Sequence, residues 1–261
     1  MIVVDKLCYS SGLRYVNPYE KFAFAMLTLV FCIVSRSIAL GIFVMGLNTF
    51  LCIGKGKIAP KRFFKLMLIP LTFLVLSTVA IMINISKEPL DAFAVQIGQY
   101  YITGSHDAIF RATQLMVTAM ASVSCLYFLS LNTTMTDILA VLDGIKCPKL
   151  LSELMLMIYR FIFVLLDSAY FISSSQHARL GYRTYRQSVK SFGGMVQAVF
   201  IQSMKRSRML YDAMEARCYD GHVNVLRENR PVNRKNIILI CVFEAVLLAY
   251  TVLIRAGVFY I

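Results

Sequence analysis

Two arginines in this chain are placed where their chemistry reads as recognition. Each follows an alanine near the end of a polar-faced segment: Ala178-Arg179 in the phrase SQHARLGY and Ala216-Arg217 in MEARCYDG. A guanidinium presents a planar fork of donors that fits a carboxylate bidentately, and a small neighbour lets the helix end enter a partner's groove. A plainer role is also open, because a cation near a helix C-terminus is worth about 0.3–1 kcal/mol against the macrodipole. In that role Gly181 and Gly221 are the expected left-handed C-caps. One such pair is satisfied by the plainer role; two on neighbouring segments make docking competitive with it.

Other chemistry is sparse. The seven cysteines (Cys8, Cys32, Cys52, Cys125, Cys147, Cys218 and Cys241) contain no C-x-x-C pair, and His106, His177 and His222 are far apart. A structural metal is therefore not expected. No GxxxxGK[ST] loop is present, so the chain is not expected to bind ATP by that route. No Ser/His/Asp, paired-carboxylate or metal-ligand arrangement supports a membrane enzyme.

What must position the arginines is a very apolar chain. Of its 261 residues, 58% are hydrophobic and 16% charged, with a mean hydropathy of +0.67. An ordinary soluble domain carries roughly 25% charged and about 45–50% apolar residues, so the excess belongs in a bilayer. The net charge of +13 fits basic cytoplasmic loops better than nucleic acid. The first twenty residues hold Asp5, Lys6, Arg14 and Glu20 without a long apolar stretch, so no cleavable signal peptide is expected.

Asn17-Pro18 suits a helix start, as N-cap and first-turn proline. A largely apolar run then extends from Phe22 to Ile53, with its one charged residue in the break at Ser35-Arg36-Ser37. As one helix this run would be about 48 Å long, too much for a ~30 Å hydrocarbon core. Two short spans are expected instead, near 20–34 and 38–53, turning at Arg36. Further spans are expected at Leu66–Ile85, at Ala108–Leu131 and at about Asn236–Arg255, with Pro70 and Glu244 near span ends. Gly54–Lys65 carries five Lys and Arg and no acid, and Asn132–Lys235 holds 15 of the 27 basic residues. The positive-inside bias puts both in the cytoplasm, with the N-terminus inside, Ser86–Asp107 outside and the C-terminus outside.

Leu154–Ile172 is long enough for a sixth span, yet Arg160 and Asp167 each cost roughly 2.5–3.5 kcal/mol at the centre of a membrane helix. Glu153, Arg160 and Asp167 are spaced by seven and so share a helical stripe. A long amphipathic helix from about Pro148 to Arg179, lying at the cytoplasmic face, is the expectation. A second is expected from about Phe192 to Asp220, with Val196, Val199, Phe200, Leu210, Ala213 and Met214 at helical spacing. Ser203 and Ser207 either let another helix cross closely or are ordinary serines on a polar face. Gly181–Gly194 reads as a basic loop punctuated by glycines. The chain thus divides into 1–131, with spans one to four; 132–235, a cytoplasmic helical region; and 236–261, a last span. The middle region is too large for a plain connection and too apolar to stand alone in water.

These residues carry a resemblance. Asn17-Pro18-x-x-Lys21, LSLNTTMTDILAVLDGIKCP (Leu129–Pro148), ELMLMIYRFIFVLLD (Glu153–Asp167), ARLGYR (Ala178–Arg183) and RSRMLYDAMEARCYDG (Arg206–Gly221) resemble the transmembrane coupling (T) component of energy-coupling factor transporters, in its cobalt-type CbiQ branch. The resemblance implies an all-α integral membrane protein with about five transmembrane helices and two long crossed cytoplasmic coupling helices. It also implies that Ala178, Arg179, Leu180 and Gly181, and Ala216, Arg217 and Cys218, insert into the grooves of ATPase subunits. Leu180 and Cys218 stand where the family often has glycine. The implied partners are two cytoplasmic CbiO-like ATPase subunits and a CbiM-like membrane substrate-binding component, with or without a CbiN-like subunit. ATP would be hydrolysed by the partners, no cofactor would be held by this chain, and the cargo would be cobalt or nickel, in the cell membrane. The competing reading is a self-sufficient secondary transporter or channel, which usually places ionisable groups at mid-membrane.

Overall fold

The computed structural model describes residues 3–82, 84–86, 93–97, 100–104, 106–219, 230–231 and 233–255. The chain is a helical integral membrane protein. Among the described residues five stretches are long and apolar enough to cross a bilayer: Pro18–Ser35, Ile38–Lys55, Pro60–Ile81, Ala108–Asn132 and Arg234–Leu253. They follow a short N-terminal helix, α1 (Val3–Ser10), and correspond to α2 (Pro18–Ser35), α3 (Ile38–Phe50) with a π-helical turn at Leu51–Lys55, α4 (Pro60–Met82), α5 (His106–Asn132) and α9 (Arg234–Arg255). Between α5 and α9 lie α6 (Met135–Gly144), α7 (Lys149–Ala178) and α8 (Tyr185–Glu215). The chain folds as two units, a smaller one of Leu139–Glu228 and, around it in sequence, a larger one of Ile2–Ile138 with Asn229–Ile261.

In the larger unit α2 starts as its sequence dictates. Asn17 Oδ1 accepts from the Tyr19 amide at 3.0 Å and Pro18 takes the first turn. The helix stops at Arg36, whose left-handed φ of 47° turns the chain back into α3. Helix α5 is the centre, packing against α1, α2, α3 and α4, while α9 packs on α2. Small residues allow this. Ala112, Ala121 and Ser124 of α5 are fully buried, and a Cβ on Gly41 would sit 2.8 Å from Val117 Cγ1. Close approach through small side chains is how membrane helices gain contact where lipid gives no hydrophobic drive. Asn48 of α3 adds hydrogen bonds to Ser124 Oγ at 3.1 Å and Cys125 Sγ at 3.2 Å.

Polar contacts sort the helix ends into two sets. At one end, Gly12 N–H donates to Gly56 O at 3.2 Å, Lys21 Nζ to Asn132 O at 2.9 Å and Asn233 N–H to Glu20 Oε1 at 3.0 Å. At the other, Gln114 Nε2 donates to Arg36 O, and Ser37 Oγ lies 3.3 Å from Tyr250 OH. Successive helices that alternate between the two sets are what five crossings require. The exposed faces agree: Phe64, Leu68, Ile69, Phe73 and Leu76 of α4 are each more than half exposed, a surface that only lipid or protein can cover.

Several expectations need correction. The third span begins at Pro60, not Leu66, because proline serves as a helix-starting residue; Lys61, Arg62 and Lys65 are therefore helical. It ends at Met82, and Ile85 lies in a strand. Three short strands, Asn84–Ser86, Phe93–Ile97 and Tyr100–Gly104, form an antiparallel sheet with the last strand in the middle. Pro70 and Glu244 are not near span ends but in the middle of α4 and α9. Proline leaves the carbonyl four residues earlier, Leu66 O, without its helical donor; Tyr127 OH supplies one from α5 at 3.1 Å. Glu244 is buried and accepts from Thr28 Oγ1 at 2.7 Å.

Candidate functional site

The smaller unit is built on α7 and α8. Helix α7 runs from its cap at Pro148 to Arg179, matching the amphipathic helix expected there. Helix α8 starts earlier than expected, at Tyr185, so that only a short turn separates the two and Gly193-Gly194 fall inside the helix. Each internal glycine costs roughly 1 kcal/mol relative to alanine, which a helix of 31 residues sustains by packing. The packing stripe of α8 is Ser188, Ser191, Met195, Val199, Gln202, Arg206, Leu210 and Met214, all partly buried at spacings of three and four. Val199, Leu210 and Met214 are thus on the inner face as expected, whereas Val196 and Phe200 are exposed.

The helices run antiparallel and touch at three levels. At the turn, Gln176 Nε2 donates to Ser191 O at 2.9 Å and Tyr182 OH to Gln176 Oε1 at 2.8 Å, with the His177 ring stacked on Tyr182 at 4.2 Å. Midway, a cleft is lined by Val164, Asp167, Ser168 and Phe171 of α7 and Gln202 and Arg206 of α8. At the open end Tyr219 OH reaches Glu153 Oε2 at 3.4 Å. Ser203 is half-buried and donates back to Phe200 O at 2.7 Å, and Ser207 is exposed.

Both Ala-Arg pairs end their helices in the same hydrogen-bonded motif. In the first, Gly181 N–H donates to Gln176 O at 2.8 Å and Leu180 N–H to His177 O at 3.0 Å. In the second, Tyr219 N–H donates to Met214 O at 3.1 Å and Cys218 N–H to Glu215 O at 2.9 Å. These are the paired bonds of a Schellman cap, with arginine as the last residue before the left-handed one. The left-handed residues are Leu180 (φ 57°) and Cys218 (φ 58°), so the expected role of Gly181 moves one position earlier. Gly221, the other expected cap, lies outside the described residues. What demands glycine at 181 is space: a Cβ there would lie 2.7 Å from Ser191 Oγ and 3.0 Å from Gln176 O.

Ala178, Arg179, Leu180, Ala216, Arg217 and Cys218 are all exposed, and Gly181 is half-buried. Neither Arg179 nor Arg217 forms an ion pair among the described residues. Helix α8 starts beside the first tip and runs to the second, so its 31 residues hold the two arginines about 45 Å apart. The outer faces between them are apolar. Leu150, Leu154, Ile158, Ile162 and Tyr170 line α7, and Tyr185, Val189, Phe192, Val196, Phe200 and Tyr211 line α8. Contiguous apolar stripes of this length mark a surface that is covered by a partner or by lipid. Among the described residues, no three His, Cys, Asp or Glu side chains are grouped to hold a metal ion.

Sequence reasoning missed a second cluster, in the larger unit. Lys21 is buried and its Nζ also donates to Leu13 O at 3.2 Å; Ser11 Oγ donates to Asn132 Oδ1 at 2.7 Å. Asn17 Nδ2 donates to Arg230 O at 3.0 Å, and Arg230 Nη1 contacts Asp137 Oδ2 at 2.9 Å. Glu20 Oε2 accepts from Asn236 Nδ2 at 3.2 Å. The available signal was an excess of Asn, Glu and Lys in the first turn of an apolar run, where lipid exposure would be costly.

Residues 10–228 match the family CbiQ, described as cobalt transport protein. An uncharacterized protein of Methanocaldococcus jannaschii is 28% identical over 250 residues, covering 95% of this chain and 92% of its own. Cobalt transport protein CbiQ of Salmonella typhimurium is 26% identical over 85% of this chain and 98% of its own. A putative fused cobalt transport protein CbiMQ of Methanocorpusculum labreanum is 27% identical over 94% of this chain, which spans 41% of that longer protein.

Proposed function

This chain belongs to the CbiQ family of cobalt transport proteins, and from that premise we propose that it is the coupling (T) component of an energy-coupling factor transporter for cobalt or nickel ions. The observation that carries the reading is the pair of matched tips. Two exposed arginines, in one cap geometry, stand at opposite ends of a rigid hairpin about 45 Å apart, a spacing suited to one ATPase subunit each. ATP binding would draw the two subunits together, and the helix ends seated in them would move as a body. Packed helices pass on discrete displacements of this kind. The ATPases hydrolyse the ATP, and this chain binds no cofactor.

A CbiM-like membrane component would hold the metal. The relative named as a fused CbiMQ supports that partnership. The basic stretch Gly54–Lys65 and the basic coupling unit favour the cytoplasm for the end that carries them, which puts the N-terminus there too. The test is to purify the chain from its native membrane. Co-purifying ATPase subunits and a metal-binding membrane subunit are expected. Metal uptake by the chain alone in lipid vesicles would overturn the reading in favour of a self-sufficient carrier. Buried, mid-span Glu244 is the feature that such a carrier would use.

A further inference from the structure

The coupling unit, Leu139–Glu228, is flanked in sequence by Asp137, two residues before it, and Arg230, two residues after. Those flanking side chains meet. Arg230 Nη1 lies 2.9 Å from Asp137 Oδ2, with side chains 8% and 14% exposed. The same guanidinium donates to Arg14 O, and the Arg230 carbonyl accepts from Asn17 Nδ2 at 3.0 Å. Asp137 is held in the first turn of α6, where its amide donates to Thr134 Oγ1 at 3.3 Å. Three residues beyond Arg230, Glu20 fixes the start of α9 through Asn233 N–H.

A nearly buried ion pair is weak evidence for stability, because desolvation offsets much of its attraction, but its geometry is specific. Here that geometry joins the chain going out to the coupling unit with the chain coming back. We propose that Asp137 and Arg230 form a clasp that makes these two connections a single anchorage on α2 and the N-terminal segment. A displacement of the coupling unit then reaches α5 and α9 together instead of being absorbed in one loose connection. Both are positioning residues, and the proposal rests on the coupling reading above.

The test uses the complete complex of this chain, its ATPase subunits and its metal-binding subunit, purified and placed in liposomes. ATP hydrolysis and Co²⁺ uptake are measured side by side. Asp137→Asn and Arg230→Gln should keep the ATPases bound and hydrolysis within about twofold, while uptake per ATP falls at least about tenfold, the size of effect that loss of a coupling contact of this kind gives. Arg230→Lys keeps the cation and should retain most of the uptake per ATP. An unchanged ratio in Asp137→Asn and Arg230→Gln, or a parallel loss of hydrolysis and uptake, overturns the clasp. If Arg230→Gln does not accumulate, Asp137→Asn and Asp137→Glu, which remove or displace the carboxylate, decide. A lowered ratio in Asp137→Asn supports the clasp, and wild-type ratios in both overturn it. If the unaltered chain binds no ATPase, the coupling reading fails instead.

Discussion

Leu180 and Cys218 adopt the same left-handed backbone, φ 57° and 58°, each directly behind an Ala-Arg pair and each closing the same two hydrogen bonds. The equivalence is geometric, since the two residues share neither size nor polarity. It explains why glycine would suit this third position, because only glycine takes that backbone without steric cost. It also fixes where each arginine stands on its helix: it is the last residue before the reversal, and it is exposed.

Glycine at either position should therefore be accepted. Leu180→Gly and Cys218→Gly relieve a left-handed cost of about 1–2 kcal/mol and add about 0.5–1 kcal/mol of unfolded-state entropy. The expected net effect is a small gain, seen as a slightly raised melting temperature in detergent, with ATPase binding kept. Cys218→Val should do the reverse, because a β-branched residue is an outlier at positive φ. Gly181→Ala should also lower the melting temperature, through the contacts at Ser191 Oγ and Gln176 O.

Tyr127 and Pro70 form a compensating pair across α5 and α4. Tyr127→Phe leaves Leu66 O without the donor that replaces the missing proline N–H, at a cost of about 1–3 kcal/mol. Adding Pro70→Ala restores a helical N–H to that carbonyl and should recover most of the loss. A double-mutant cycle on thermal unfolding in detergent measures the coupling; strict additivity would show that the hydroxyl does not serve that carbonyl.

Glu244 separates coupling from carriage. Glu244→Gln keeps an acceptor for Thr28 Oγ1 and removes only the acid. In the coupling account metal does not pass through α9, so uptake by the whole complex should stay within about twofold of wild type, against the roughly tenfold or greater loss expected for a group on an ion pathway.

Much of this architecture was legible in the sequence. The two short spans around Arg36 followed from run length against bilayer thickness. That α7 is not among the stretches apolar enough to cross a bilayer followed from Arg160 and Asp167 inside an apolar run. Less legible were features set by tertiary partners. Pro60–Lys65 looked like a loop because its basic residues masked a helix start. Gly193-Gly194 looked like punctuation because packing of the surrounding helix is invisible to local propensity. The cluster of Asn17, Glu20, Lys21, Asp137 and Arg230 depends on residues up to 213 positions apart, a pairing that no spacing rule encodes.

The most direct test of the coupling claim reverses the charge at both tips. The complex is co-expressed with Arg179→Glu and Arg217→Glu, singly and together, and the ATPase subunits retained on the membrane-embedded chain are counted. The account predicts normal insertion, partial retention in each single variant and none in the double, with uptake lost. Full retention of the ATPases by the double variant would contradict it.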